Sequence, residues 1–161
     1  MMKSSIAAVL LPLVLAWSPA IAAGRADIQP FGPDSLQKIE QTYRGQEFVL
    51  VLWSLDCVYC KASLNYLSGE SRRRKLDIVT LSTDSADDPG AVAAMRQRLA
   101  QAGVRGQAWA FGDVAPEQLR HAIDPRWHGE LPRSYWYDAS GKRTAYSGVI
   151  NADVLRRHLP R

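Results

Sequence analysis

The stretch EFVLVLWSLDCVYCKASL, residues 47–64, decides the fold of this chain. Its first half is a continuous apolar run rich in β-forming residues, which is typical of a central strand buried on both faces. Cys57 and Cys60 open the second half. Leu64 and Leu67 then continue the helix face set by the two cysteines, at spacings of four and three residues. The stretch therefore predicts a buried strand that leads directly into a helix, with Cys57 at the start of that helix.

Strand and helix patterns alternate through the rest of the chain, and a hairpin comes late. This order predicts one α/β domain, a central mixed sheet with helices on both faces. The polar segment 27–33, which contains two prolines, is predicted to be a leader to the domain. The other predicted helices are 33–45, 87–103, 115–123 and 151–159, and the other predicted strands are 76–84, 107–112, 131–138 and 143–150.

Composition excludes several classes of protein. The chain has 161 residues, of which 47% are hydrophobic and 22% charged, as in an ordinary globular domain. A domain of this size buries about two thirds of its unfolded surface and needs no disulfide framework. The net charge of +4 is mild, and basic residues cluster only at 72–75, so no nucleic-acid partner is expected. We interpret that cluster as a solvated helix end.

The N-terminus has the three parts of an export signal. Lys3 supplies the positive charge, Ile6–Trp17 is an apolar run, and the small residues of SPAIAA follow. The run is shorter than the ~20 residues that a membrane span needs. We therefore predict a cleaved signal peptide at 1–23 and a mature domain at 24–161, with an uncleaved membrane anchor as the alternative. Export would place the protein in the periplasm, an oxidising compartment where disulfides persist.

The two cysteines allow three interpretations. A structural zinc site needs four ligands, whereas this chain has one cysteine pair and three histidines that are not spaced as ligands. A structural disulfide across two intervening residues would stabilise the fold little, because the closed loop is so short. A redox couple needs one attacking and one resolving sulfur within reach, which Cys57 and Cys60 supply. We favour the redox couple, with no metal and no cofactor.

The predicted helix start also affects the acidity of the first cysteine. Unpaired N–H groups and the dipole at a helix N-terminus favour an anion by about 0.3–1 kcal/mol and at most ~2 kcal/mol. This lowers the pKa of a thiol by up to about one unit. Asp56 opposes the effect, but an exposed neighbour acts through a high dielectric. We therefore expect the pKa of the Cys57 thiol to lie below about 8.5, the usual value for cysteine.

Three segments together resemble a known family. VLVLWSLDCVYCKASL, IVTLSTD and GELPRSYWYDASGKRTAYSG resemble the TlpA/ResA-like branch of thioredoxin-fold disulfide reductases, over nearly all of the mature chain. The resemblance implies a thioredoxin-like fold in which Cys57 attacks and Cys60 resolves. It further implies that Pro132 is cis and faces the cysteines, that backbone groups of Leu131 dock an extended substrate, and that Trp53 is the aromatic residue beside the site.

The chain departs from the family at several positions. Ser63 stands where many members carry a glutamate that relays a proton, and Val51 stands where thioredoxin has a buried aspartate. Tyr59 replaces the proline found between the cysteines of many reductases and is a candidate for substrate contact. Glu130 or His128 could carry the proton instead, although we favour a solvated loop for both. These changes leave the direction of electron flow open.

The favoured function is an exported thiol–disulfide oxidoreductase that reduces disulfides in partner proteins, such as apocytochromes. A reductase in an oxidising compartment needs an external electron donor, which we expect to be a membrane thiol transporter. We also expect a monomer. A disulfide oxidant or isomerase is the alternative within the same class. A copper-handling chaperone that uses Cys57, Cys60 and His128 as Cu(I) ligands is the alternative from another class.

Overall fold

The computed structural model describes residues 27–159, so the predicted signal peptide at 1–23 lies outside the described residues and stays a prediction. Within 27–159, no helix is both long and apolar enough to cross a membrane. The strands are β1 (Ile28–Phe31), β2 (Phe48–Trp53), β3 (Asp77–Ser85), β4 (Ala108–Phe111), β5 (Arg133–Tyr137) and β6 (Arg143–Ser147). The helices are α1 (Ser35–Thr42), α2 (Cys60–Arg74), α3 (Pro89–Ala102), α4 (Pro116–Ile123) and α5 (Ala152–His158).

The six strands form one mixed sheet in the order β1-β4-β3-β2-β5-β6. The first four strands of this order run parallel to one another, while β5 is antiparallel to both β2 and β6. Helices between parallel strands return the chain to the end of the sheet where it started. The predicted α/β class with a central mixed sheet is confirmed.

Alternate side chains of β2 enter two separate cores, because successive residues of a strand point to opposite faces. Every residue of β2 is buried. One core lies under α2, α3 and α5, and the other lies under α1 and α4. The apolar run that looked continuous in sequence is therefore two interleaved sets: Val49, Val51 and Trp53 face the first core, and Phe48, Leu50 and Leu52 face the second.

The prediction of a polar leader at 27–33 is wrong for its first part, because Ile28–Phe31 forms strand β1. This strand lies at the edge of the sheet and pairs in parallel with β4. Pro30 is exposed within it. An edge strand tolerates proline because the missing N–H can lie on the side that has no neighbouring strand. Pro30 therefore argues against a central strand but not against an edge strand.

The helix that carries the cysteines starts later than predicted. Helix α2 begins at Cys60 instead of Cys57. The Cys57 N–H donates to the Ser54 carbonyl at 3.3 Å, and the Cys60 N–H donates to the Cys57 carbonyl at 3.2 Å. Two consecutive turns therefore follow the end of β2 before the chain becomes helical. Cys57 lies just outside the helix N-terminus, and Cys60 lies within its first turn.

We expect Gly106→Ala to destabilise the fold severely. Gly106 has φ +134°, and a Cβ there would lie 2.1 Å from the Ile78 carbonyl oxygen, a backbone atom that cannot move aside. The expected loss in free energy of unfolding, measured by denaturant titration, is about 3 kcal/mol or more. Gly141→Ala is the matched control, with φ +83° but open space around the added Cβ. It should cost only about 1–2 kcal/mol, and an equal loss in both variants would contradict the steric explanation.

Candidate active site

Two turns that are distant in sequence meet at one end of the sheet. Strand β5 is antiparallel to β2, and Leu52 pairs with Arg133. The next residue outward on β2 is Trp53, and the preceding residue on the partner strand is Pro132. The Leu131–Pro132 peptide bond is cis. The pairing therefore brings the cysteine turn, which follows β2, and the cis-proline turn, which precedes β5, to the same end of neighbouring strands.

The two cysteines form a disulfide, with 5.3 Å between their Cα atoms. Their exposure differs sharply. Cys60 is only 1% exposed and belongs to the core under α2, whereas Cys57 is partly buried at the edge of that core. An incoming thiolate or disulfide therefore has access to the sulfur of Cys57 and not to that of Cys60. This difference in access is what an attacking and a resolving sulfur require.

The N-terminus of α2 carries no compensating side chain. Tyr59 occupies the N-cap position without a side-chain capping hydrogen bond, and the first turn of this described helix contains no acidic residue. The Cys60 N–H already donates to the Cys57 carbonyl, so an anion would be stabilised by the following N–H groups of the first turn and by the positive end of the dipole. A thiolate on Cys57, one turn before the helix, would receive that stabilisation.

The residues that surround the pair divide into a buried support and an exposed rim. Trp53 is buried in the same core as Cys60, and its indole N–H has no hydrogen-bond partner among residues 27–159. Leu131 is partly buried and packs against both cores. Val58 and Tyr59, between the cysteines, are 82% and 67% exposed. An apolar rim thus borders the disulfide, and Val58 belongs to it although the sequence analysis did not select it.

Asp84 is a further residue of the site that the sequence analysis missed. Its Oδ2 accepts from the Leu55 N–H at 2.9 Å and from the Ser82 hydroxyl at 2.5 Å. These bonds tie the end of β3 to the loop that carries Cys57. The available signal was the single acidic residue after the buried run IVTLST, since an acid at the end of a central strand lies at the functional edge of the sheet.

Val51 and Ser63, which the sequence resemblance marked as departures, are used for packing. Val51 is buried in the core under α2. Ser63 is also buried, and its Oγ accepts from the Ile150 N–H at 3.0 Å. This bond fixes the segment before α5 against α2. Ser63 therefore satisfies a buried backbone donor at the position where a proton-relaying carboxyl would stand.

Glu130 and His128 lie exposed in the loop before the cis-proline turn, as the sequence predicts. Burial raises the pKa of the Glu130 carboxyl, but hydrogen bonds, including one from the Ser147 hydroxyl, and the charge of Arg133 hold it below its usual value. Glu130 is thus ionised at neutral pH. His128 is exposed, and its backbone N–H donates to Glu130. Among residues 27–159, no three or more His, Cys, Asp or Glu side chains lie together as a metal site, so the proposed Cu(I) ligand set with His128 is not assembled.

A buried carboxylate supports the cis-proline turn. Asp124 accepts from the Arg133 guanidinium at 3.2 Å and from the Tyr135 hydroxyl at 3.3 Å. Arg133 also donates to Glu130 and to Ser147. Arg133, directly after Pro132, is thereby tied to Glu130, two residues before Pro132. This network anchors the chain on both sides of Pro132.

No family model matches the chain, and no curated protein matches it. Solved structures do match. One is a secreted disulfide oxidoreductase from Mycobacterium tuberculosis, described as homologous to E. coli DsbE, with 20% identity, a TM-score of 0.56 and coverage of 73% of this chain and 83% of that one. Another is a thioredoxin-family thiol:disulfide interchange protein from Chlorobium tepidum, with 15% identity, a TM-score of 0.54 and coverage of 74% and 81%.

A third match is the thioredoxin domain of a thiol–disulfide oxidoreductase from Bacteroides vulgatus. It shares 16% identity at a TM-score of 0.53, and the alignment covers 73% of this chain and 79% of that one. At such identities the likeness establishes the fold, which is thioredoxin-like as predicted. These neighbours fit the resemblance that the sequence motifs indicated.

We expect Asp124→Asn to flatten the acid side of the stability profile. Burial raises the pKa of Asp124, but hydrogen bonds from Arg126 and the charges of Arg126 and Arg143 hold it below its ordinary value of 3.8. The stability that the carboxylate contributes is therefore fully present above about pH 4 and is lost as the pH falls further, because the unfolded chain takes up the proton first.

The measurement is the free energy of unfolding between neutral and strongly acidic pH. Asp124→Asn should be less stable than the wild type at neutral pH and should lose less stability on acidification. Asp113→Asn removes an exposed carboxylate and serves as the control, with the wild-type slope expected. Identical slopes in all three proteins would contradict the assignment.

Proposed function

We propose that this chain is a thiol–disulfide oxidoreductase whose redox centre is the Cys57–Cys60 pair. One observation carries the proposal: a partly exposed Cys57 is joined to a buried Cys60 at the N-terminus of α2, at the end of the sheet where the cis Leu131–Pro132 bond lies. The cis-proline strand and the cysteine turn together form an accessible rim above a buried sulfur. The disulfide oxidoreductase neighbours support the same activity.

The reaction is two successive thiol–disulfide exchanges. In the reduced protein, the Cys57 thiolate attacks one sulfur of a substrate disulfide, and the other substrate sulfur leaves as a thiolate. The Cys60 thiolate then attacks the Sγ of Cys57 in the mixed disulfide and releases the second substrate thiolate. The substrate gains two electrons, and the two protons of the cysteine thiols end on its sulfurs. The Cys57–Cys60 disulfide remains and must be reduced by a dithiol donor.

The rim would hold a substrate in an extended conformation. Tyr59 and Val58 offer apolar surface on one side of the pair, and the backbone of Leu131 offers polar groups on the other. Main-chain hydrogen bonds to such an edge give affinity with little dependence on substrate sequence. Trp53 would act from beneath, because its buried ring packs in the core that contains Cys60.

The direction that we favour is reduction of disulfides in exported partner proteins, of the kind needed in cytochrome c maturation. The proposal includes a periplasmic location, a monomeric protein and a membrane thiol transporter as donor. The predicted export signal supports the location, as does the description of the Mycobacterium tuberculosis neighbour as secreted. Oxidation or isomerisation of partner disulfides is the alternative, because Val51 and Ser63 supply no acid.

We expect the two single-cysteine variants to behave differently with a protein disulfide such as that of insulin. Reduced Cys60→Ser should accumulate a mixed disulfide through Cys57, because the resolving sulfur is absent. Cys57→Ser should form little or none, because Cys60 is buried. Non-reducing electrophoresis and mass spectrometry detect the adduct, and Ser71→Ala on the same helix is a control that should turn over normally. Equal trapping in both variants would contradict the assigned roles.

The reduction potential of the Cys57–Cys60 pair distinguishes a protein that reduces partner disulfides from one that oxidises partner thiols. Equilibration with glutathione or dithiothreitol buffers should give a value near that of thioredoxin, about −270 mV, if the protein is a reductant. A value near about −120 mV, as in strong oxidants, would overturn the favoured direction and leave the oxidoreductase activity intact. The redox state at each poise is measured by thiol alkylation followed by mass spectrometry.

A further inference from the structure

A group of basic side chains lies at the end of the molecule opposite the cysteine pair. Helix α2 starts at Cys60 and ends at Arg74, which places its last turn about 20 Å from the disulfide at 1.5 Å per residue. Strand β6 runs in the direction of β2, so the helix after each strand returns to the same end. We define the basic pole as the five residues at these two helix ends: Arg73, Arg74, Lys75, Arg156 and Arg157.

Three residues of the basic pole, Arg73, Arg74 and Arg156, line a cavity of about 650 Å³ between α2 and α5. Buried Glu70 pairs with Arg73 and with Arg74, the latter at 3.0 Å, and so holds both guanidinium groups at the cavity wall. Arg73 nevertheless remains 72% exposed, and Arg156 on the facing helix is 68% exposed. Arg156 also pairs with exposed Asp153 on its own helix. Positive charge is therefore presented to solvent from two helices across one groove, and Glu70 and Asp153 offset part of it.

The wall of the groove also offers apolar and aromatic surface. Tyr66 and Leu159 line it next to the arginines. Both are partly buried and pack against the core under α2. A tyrosine ring beside exposed guanidinium groups suits the boundary between lipid headgroups and acyl chains, where amphipathic rings are favoured. A purely aqueous anion would make no use of this surface.

The redox end of the molecule carries the opposite charge. The loops that follow the parallel strands β2, β3 and β4 contain Asp56, Asp87, Asp88 and Asp113, and all four are exposed. None of these three loops contains a lysine or arginine. The described domain is thus polarised along the direction of its strands, acidic at the disulfide and basic at the far end. An anionic surface would attract one end and repel the other.

The chain joins the domain at the basic end. Strand β1 is parallel to β4, which is parallel to β3 and β2, so Asp27 lies where the parallel strands begin. The disulfide lies where β2 ends. In the sequence, the apolar run Ile6–Trp17 precedes Asp27 by ten residues, with basic Arg25 between them. In the alternative of an uncleaved anchor, a membrane that contains this run would therefore face the basic pole.

We propose that the basic pole is a docking surface for a membrane containing anionic phospholipid. The exposed arginines contact the phosphate groups, Tyr66 lies at the headgroup level, and the acidic redox end points away from the bilayer. Cys57 stays accessible to proteins in the surrounding compartment. The proposal goes beyond the oxidoreductase function and does not require it, because none of the residues of the pole takes part in the exchange reaction.

Sedimentation of the full chain with lipid vesicles tests the proposal. Vesicles of phosphatidylcholine mixed with phosphatidylglycerol should bind the protein far more strongly than phosphatidylcholine alone, and high salt should weaken that binding. Arg73→Gln/Arg156→Gln/Arg157→Gln should lower the partition coefficient on the anionic vesicles about 100-fold, since each basic residue near such a surface contributes a factor of about five. Arg74 stays in place, so buried Glu70 keeps a partner.

The matched control is Lys38→Gln/Lys61→Gln/Arg126→Gln, which removes the same charge from exposed positions outside the pole. It should bind anionic vesicles like the wild type, and the apolar run is identical in all three proteins. Equal losses in both triple variants, or equal binding of the wild type to both kinds of vesicle, would overturn the proposal. Circular dichroism checks that each variant is folded. If the triple variant does not fold, the single variant Arg157→Gln replaces it, and its partition coefficient on anionic vesicles should fall about fivefold.

Two further arms separate this proposal from its alternatives. Binding of a hexaglutamate peptide that depends on the pole, without binding to anionic vesicles, would overturn it in favour of an acidic protein partner. Cys57→Ser should bind vesicles like the wild type, and the triple Arg variant should reduce insulin normally without vesicles. Vesicle binding by Cys57→Ser therefore tests membrane docking alone. Insulin reduction by the triple Arg variant tests the oxidoreductase function alone.

Discussion

The antiparallel pairing of β2 with β5 is the constraint on which the rest of the site depends. It places Leu52 opposite Arg133 and so brings the end of one strand beside the start of the other. The cysteine turn and the cis-proline turn are the direct continuations of those two ends. Each turn by itself is an ordinary local structure. Side by side, above a core that buries Cys60, they form a rim where one sulfur can be attacked and the other is protected.

Polar residues near this rim act mainly on the backbone. Asp84 holds the amide of Leu55, Ser63 holds the amide of Ile150, and Asp124 holds the side chain of Arg133. Each satisfies a donor that would be costly to bury without a partner. Val51, in the core that contains Cys60, and buried Ser63 have no proton that titrates in the neutral range. Stabilisation of a thiolate is left to the positive end of the α2 dipole.

The distribution of charge gives the molecule a direction. Exposed aspartates follow the parallel strands at the redox end, and arginines end the two helices that return from it. A helix is stabilised by positive side chains at its C-terminus, so the arginines first serve α2 and α5. The same placement gathers them at one pole, because both helices return to the same end of the sheet. A local requirement of helix stability thus produces a polarity of the whole domain.

Local patterns in the sequence determined the buried strand, the Cys-x-x-Cys turn, most helices and the α/β class, because these depend on the periodicity and chemistry of near neighbours. The tertiary structure alone decided that Ile28–Phe31 is a strand, since an exposed edge tolerates Pro30. It also decided that α2 begins at Cys60, because two turns after β2 precede the helix. The contacts of Asp84 and of the arginine-lined groove join elements far apart in the chain. Such contacts arise from packing, which no local pattern encodes.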